Sequence, residues 1–137
     1  MPEHEETVEL PAAPAAVWAA LARPEDWFVG YRQTRARSPE YPSPGSRNDH
    51  VYHTRVDEQV DVAVVSSMPE ELLEEEHEGR TFRRRIRYRL EPAGAGTRLT
   101  VTDDISFKGL ARLAAPFAFE DARGRWGRSL ERLRGML

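Results

Sequence analysis

Apolar and charged side chains alternate from Phe82 to Leu90. One set comprises Phe82, Arg84, Ile86, Tyr88 and Leu90, and the other comprises Arg83, Arg85, Arg87 and Arg89. A period of two is that of a β-strand with one apolar face, because successive side chains on a strand point to opposite sides. The pattern therefore predicts a strand on which four arginines face solvent and one, Arg84, lies on the apolar face.

A second alternating segment, residues 97–107, follows the glycine-containing connection PAGAGT, and its apolar set includes Asp103. A hairpin closed at this connection places Asp103 opposite Ile86 and diagonal to Arg84. A buried arginine without a partner is costly, so Arg84 is expected to be paired or to bind a ligand. The sequence leaves both interpretations open: a structural ion pair, or an anchor for an anionic or carbonyl oxygen of a ligand.

The segments before this hairpin predict two short helices and further strands. A strand is predicted at residues 5–10, a helix from Pro14, a second short helix at Pro24 to Trp27, and strands at residues 50–56, 59–68 and 72–79 after a proline-rich loop at 38–46. About six strands between residues 31 and 107, joined by short turns, predict an antiparallel meander. The inner face of residues 47–68 stays undecided, because VDVAVVSS is apolar on both sides.

Beyond Gly109 the apolar period changes from two to between three and four. The stripe consists of Phe119, Ala122, Trp126, Leu130, Leu133 and Leu137, which is typical of an amphipathic helix. Leu110, Leu113 and Phe117 would lie on nearly the opposite side of that helix. Pro116 accounts for the mismatch by kinking the helix or by starting it afresh. One long closing helix is expected.

Composition and charge argue against several classes of function. The chain has 137 residues, no cysteine and a formal net charge of -3, so thiolate metal sites and cysteine nucleophiles are excluded. The glutamates of residues 70–78 are expected to face the outward arginines and to cancel their field, which argues against nucleic-acid binding. The sequence contains no apolar run of the roughly 18 residues that a membrane span needs. The acidic start lacks the pattern of a secretory signal, so one cytoplasmic domain, residues 1–137, without membrane insertion is expected.

Three segments together resemble the START/Bet v 1-like helix-grip superfamily (SRPBCC). They are LPAAPAAVWAALARPEDW after the first strand, the pair RTFRRRIRYRLEP and GTRLTVTDDISF, and the terminal FEDARGRWGRSLERLRGML. The resemblance covers nearly the whole chain. It implies an α+β helix-grip fold, in which a curved antiparallel sheet of about seven strands wraps around the long C-terminal helix, with two short helices after the first strand.

This resemblance also implies a function. Members of the superfamily commonly receive a lipid, a polyketide or another small apolar molecule in a cavity between the sheet and the long helix. Two alternatives follow from other members: a polyketide cyclase, aromatase or dehydrase, or a protein-interaction module resembling the activator domain of the Hsp90 ATPase. The sequence therefore predicts a small apolar ligand, allows a protein partner, and leaves catalysis and oligomeric state undecided.

The inward positions of the hairpin and the closing helix are the predicted ligand-binding residues. They are Phe82, Arg84, Ile86, Tyr88, Val101, Asp103, Ile105, Phe119 and Trp126. Among them Arg84, Tyr88 and Asp103 carry polar groups that would orient the polar end of a ligand. No catalytic residue is assigned.

No metal site or cofactor is predicted. His50 and His53 are three positions apart, and on a strand such residues point to opposite faces, so their rings do not converge on one ion. Both are expected at the surface or the rim of the sheet. His4 and His77 lie in glutamate-rich stretches and are expected to be exposed.

Overall fold

A computed structural model describes residues 3–53 and 57–137. Seven strands form one antiparallel sheet in the order β1-β7-β6-β5-β4-β3-β2. Their bounds are β1 Glu3–Leu10, β2 Tyr31–Arg37, β3 Arg47–His53, β4 Asp57–Met68, β5 Leu72–Glu78, β6 Phe82–Ala93 and β7 Gly96–Phe107. The predicted meander is confirmed as β2 to β7. The last three residues of the strand predicted at 50–56 lie outside the described residues.

Two α-helices and two 3-10 helices complete the fold. Helix α1 is Pro14–Leu21, a 3-10 turn follows at Pro24–Asp26, and a second 3-10 helix at Gly109–Ala114 leads into helix α2, Ala115–Met136. Pro116 stands in the first turn of α2, where its missing N–H costs nothing, so the closing helix does start afresh there. In the described part of the chain we find no helix with the length and hydropathy of a membrane span.

The core lies between the concave face of the sheet and α2. The helix buries Ala122, Trp126, Leu130 and Leu133, and Trp27 is fully buried beside them. The Trp27 indole donates a hydrogen bond of 2.8 Å to the carbonyl of Ala20 at the end of α1. Each fully buried large apolar side chain contributes about 1.5 to 3 kcal/mol, so this layer holds α2 against the sheet. The predicted helix-grip fold is confirmed.

The arginine-rich strand has the two faces that its alternation predicts. On the outer face Arg83, Arg85 and Arg87 of β6 pair with Glu78, Glu76 and Glu74 of β5. On the inner face only Arg84 is an arginine, and it is 7% exposed. Opposite charges on neighbouring strands neutralise the outer face, as expected from the sequence.

Two expectations for histidines are wrong. His50 is 1% exposed and His77 is 4% exposed, because both lie on the concave face of the sheet. The reason is the strand register, since His50 pairs with Val60 of β4 and His77 pairs with Val62. Three of the four valines of β4, Val60, Val62 and Val64, are buried and Val65 is exposed, which settles the inner face that the sequence left undecided. The glutamate-rich sequence around His77 therefore gave no sign that this residue lies on the inner face of the sheet.

The first strand, β1, forms one edge of the sheet. β1 pairs with β7 over eight positions, from Glu3 opposite Asp104 to Leu10 opposite Thr97. At the start of β7, a Cβ on Gly96 would lie 2.1 Å from the carbonyl oxygen of Leu10. Only glycine permits this approach of the two backbones.

Candidate ligand cavity

A cavity of about 230 Å³ lies between the start of α2 and one end of the sheet. Its apolar wall is built by Phe28 after the first 3-10 turn, Phe82 of β6, Ile105 and Phe107 of β7, and Phe117 of α2. Phe117 is 71% exposed, and Leu110 and Leu113 of the preceding 3-10 helix are 86% and 80% exposed. The elbow between the 3-10 helix and α2 therefore forms a loosely packed apolar rim beside the cavity.

The loop at residues 28–30 is fixed on two sides. The backbone N–H of Val29 donates a 2.9 Å hydrogen bond to the Ser129 hydroxyl of α2. The N–H of His53 donates to the Gly30 carbonyl at 2.7 Å. Gly30 has a φ of +94°, and a Cβ there would lie 3.2 Å from the His53 carbonyl oxygen. Glycine is therefore needed for the conformation that brings this loop to the cavity wall.

A buried ion pair adjoins the cavity. Arg84 of β6 donates to both carboxylate oxygens of Asp103 on β7, one of them at 3.2 Å. The Trp126 indole of α2 donates to Asp103 as well, at 2.7 Å. Burial opposes ionisation of Asp103, but the charge and hydrogen bonds of Arg84 outweigh it and hold the pKa of Asp103 below its ordinary value. The pair is thus ionised, and it ties the sheet to the helix.

A second carboxylate in the cavity wall also has hydrogen-bond partners. Glu58 of β4 accepts hydrogen bonds from the backbone N–H of Thr81 at 2.7 Å and from its hydroxyl at 2.9 and 2.8 Å. Thr81 precedes β6 and lines the cavity with Glu58. These bonds fix the β5–β6 connection against β4.

Arg125 of α2 brings a second guanidinium to the cavity wall. It is half-buried, and its Cδ lies 3.7 Å from the point where a Cβ on Gly30 would be. Burial, followed by repulsion from Arg84, lowers the pKa of Arg125, while attraction from Asp121 opposes that change. Asp121 also lines the cavity but is exposed, and it has an interaction of its own.

A chain of polar side chains leads away from the cavity. The hydroxyl of Tyr52, which lines the wall, lies 3.4 Å from Nδ1 of His77. Nε2 of His77 lies 3.2 Å from Oε1 of Glu75, and the Tyr41 hydroxyl donates to the other oxygen of Glu75. Burial raises the pKa of Tyr52 well above its ordinary value, so the phenol stays protonated.

Three of the nine predicted ligand-binding residues line the cavity: Phe82, Arg84 and Ile105. The other six lie elsewhere. Ile86, Tyr88, Val101 and Trp126 are buried in the packed core, further along the same inner faces, where α2 and α1 fill the space. Asp103 and Phe119, together with Ile105, border a separate cleft of about 20 Å³, which has room for about one water molecule.

The cavity residues that the sequence did not single out come mostly from loops and helix starts. Phe28, Gly30 and Thr81 have no periodic neighbours that would fix their direction, so alternation gives no signal for them. Helical spacing placed Phe117 on the side opposite the predicted inward stripe. Arg125 had one signal: it lies three residues after Ala122 of the predicted inward stripe, a spacing that makes the two neighbours on a helix.

Within residues 3–53 and 57–137, no group of three or more histidines and carboxylates could hold a metal ion. The sequence contains no cysteine that could supply a ligand.

Solved structures share this fold at low sequence identity. A conserved protein from Geobacillus kaustophilus superposes with a TM-score of 0.77 at 13% identity, covering 98% of this chain and 94% of that one. The protein TTHA0849 from Thermus thermophilus has a TM-score of 0.76 at 15% identity, with coverage of 98% and 95%. Ara h 8.0201 has a TM-score of 0.69 at 14% identity, with coverage of 98% and 96%. Such identities establish the fold alone.

Comparison with curated proteins gives no significant match. The family described as polyketide cyclase / dehydrase and lipid transport matches residues 1–136. Because this match spans nearly the whole chain, and the helix-grip architecture agrees with it, the chain belongs to the polyketide cyclase / dehydrase and lipid transport family.

Proposed function

We propose that the protein binds a small apolar molecule in the cavity between the sheet and the start of α2. The observation that carries this proposal is the largely apolar cavity of about 230 Å³ between the sheet and α2. Protein interiors leave few voids larger than a water molecule, and ligand sites are concave, mostly apolar and provided with a few polar groups. Membership of a family described by polyketide chemistry and lipid transport supports the same function.

The size of the cavity limits the ligand. An apolar cavity of about 150 Å³ holds benzene. By proportion, 230 Å³ accommodates about nine non-hydrogen atoms. A single ring with a short substituent or a chain of about eight carbons fits. A larger lipid would need the exposed elbow at Leu110, Leu113 and Phe117 to move.

The first test is a comparison of the native and denatured masses of freshly purified protein, followed by titration with 1-octanol. We expect 1-octanol to shift the amide NMR signals of Phe28, Gly30 and Ile105 in a saturable way. Ala118→Trp, which fills the cavity, should abolish this response. Ala16→Trp, the same change at an exposed position of α1 outside the cavity, is the matched control. An undisturbed spectrum together with a clean apo mass would refute the proposal.

A catalytic function is the second candidate, and the chain from Tyr52 through His77 to Glu75 favours it. A protonated phenol in the cavity wall, backed by a histidine and a carboxylate, can donate a hydrogen bond that polarises a ligand carbonyl. This arrangement would serve a cyclase or dehydrase. His77→Phe should then abolish turnover of an aromatic polyketide mimic while its binding persists. Unchanged turnover in this variant would remove the chain from catalysis.

A further inference from the structure

We infer that the ligand is a small apolar carboxylic acid, and that Arg125 is the residue that binds its carboxylate. The inference rests on the proposed ligand-binding function and adds the chemical class of the ligand. Some polar groups at the cavity wall already have hydrogen-bond or ion-pair partners and others do not, and this difference supports the inference.

Arg84 is the arginine that the sequence predicts among the ligand-binding residues, but its charge is already matched. Asp103 takes two of its hydrogen bonds, and the pair is buried, with 7% and 2% of the side chains exposed. Two of the five N–H donors of Arg84 go to Asp103, which also balances its charge, so a ligand carboxylate at Arg84 would compete with Asp103 for the same positive charge. Displacing Asp103 from this buried pair would leave its carboxylate unpaired, so Arg84 can add hydrogen bonds to a ligand but offers no unmatched charge.

Arg125 differs from Arg84 in this respect. In the described part of the chain its guanidinium has neither a hydrogen bond nor an ion pair. Its stem packs beside Gly30, which places the guanidinium at the wall rather than in bulk water. A half-buried guanidinium without a partner is unfavourable, so the cavity holds a donor that a bound molecule can satisfy.

The other charged groups at the cavity wall do not take the place of a ligand carboxylate beside Arg125. Both carboxylate oxygens of Glu58 accept bonds from Thr81. Asp121, one turn before Arg125, attracts it electrostatically, but Asp121 is exposed to water and has its own contact. Arg84 repels Arg125. A ligand carboxylate next to Arg125 would relieve that repulsion.

A carboxylate is the head group that fits this donor best. The guanidinium fork binds a carboxylate through two parallel N–H···O bonds, which are about twice as strong as bonds between neutral groups. Together with the cavity volume, this points to an acid with one ring or about eight carbons.

Octanoate and octanamide test the inference because they have the same shape and differ in charge. At pH 7 we expect octanoate to bind at least about tenfold more tightly than octanamide, as a charge-assisted pair of bonds implies. Arg125→Gln should remove this preference by weakening octanoate alone. Arg125→Lys, which keeps the charge but loses the fork, should retain part of it. Arg132→Gln, at an exposed position of the same helix, is the matched control and should change neither affinity.

The outcomes separate this inference from the proposed function. Equal affinities of octanoate and octanamide would overturn the inference and leave apolar ligand binding intact. Equal weakening of both ligands by Arg125→Gln would show that Arg125 acts through packing, and would also overturn it. Binding of neither probe would overturn the inference together with the proposed function. Asp121→Asn gives an independent check, because loss of this negative charge should strengthen octanoate binding and leave octanamide unchanged.

Discussion

Arg84 and Arg85 are neighbours on β6, yet they lie in opposite environments. Arg85 is half-exposed and pairs with Glu76 across the outer face of the sheet. Arg84, one step earlier, is buried against Asp103 and α2. Exposed pairs contribute about 0 to 1 kcal/mol, whereas removing one partner of a buried pair costs about 3 to 5 kcal/mol. The position of a charge relative to solvent, rather than its chemistry, sets its importance here.

The largest effect is expected from Asp103→Leu. This change leaves the Arg84 guanidinium buried and unpaired, and it removes the acceptor of the Trp126 indole, so the free energy of unfolding should fall by about 3 to 5 kcal/mol. Urea denaturation measures it. The double variant Arg84→Met with Asp103→Leu should recover most of the loss, because it buries no unpaired charge. If the double variant is as unstable as the single one, packing rather than charge explains the effect.

The histidines of β3 repeat the contrast between inner and outer face. Burial lowers the pKa of His50 to about 4, below its ordinary value of 6.5, so between these values the unfolded chain binds a proton that the folded chain does not. Stability from this group is therefore complete above pH 6.5 and falls by about 3 kcal/mol as the pH drops to 4. Asp103, with its lowered pKa, adds a loss only below its ordinary value of 3.8.

The variant His50→Gln should flatten the change in the free energy of unfolding between pH 6.5 and 4. His53→Gln, at an exposed position of the same strand, is the control and should keep the wild-type profile. A profile that is as steep in His50→Gln as in the wild type would assign the pH dependence to other groups.

A smaller effect is expected for Trp126→Phe. The change removes a hydrogen bond to the ionised Asp103, and bonds to charged groups contribute about 1.5 to 3 kcal/mol. Trp27→Phe is the matched comparison, because its indole donates to a neutral carbonyl and should cost about 0.5 to 1.5 kcal/mol for the hydrogen bond. Thermal unfolding of both variants gives the order, and a reversed order would contradict a special role for the Asp103 contact.

The smallest effect should come from Arg85→Ala on the outer face. Because Arg85 and Glu76 are each about half exposed, water and salt screen their attraction, and the loss should be between about 0 and 1 kcal/mol. The difference from wild type, measured by urea denaturation, should shrink further in 1 M NaCl. A loss above about 2 kcal/mol that persists in salt would show that the outer ladder is more than a solvated surface.

Strand alternation predicted the hairpin of β6 and β7 because its inner and outer residues differ sharply in polarity. Ile86 does lie opposite Asp103, and Arg84 is paired as the parity required. The fold followed from this hairpin together with the long amphipathic helix. In segments whose polarity does not alternate, such as residues 47–68, the sequence did not predict which face of the strand is buried.

The misplaced histidines show that limit. β5 reads as glutamate-rich and exposed, but Glu75 and His77 are buried in partnership with Tyr41 and Tyr52. Such a buried polar cluster depends on partners from three separate segments, which local sequence does not reveal. The cavity was missed in part for a related reason, since its loop residues and Arg125 meet only after α2 has docked.

The pairing of β1 with β7 has a consequence for synthesis on the ribosome. The paired residues are about 90 positions apart in the chain. At about 5 to 20 residues per second, β1 emerges roughly 5 to 18 s before its partner strand exists. During that interval both edges of this strand are unpaired, which is a hazard for aggregation. β1 carries four glutamates, Glu3, Glu5, Glu6 and Glu9, and repulsion between like charges disfavours the pairing of two copies of this strand.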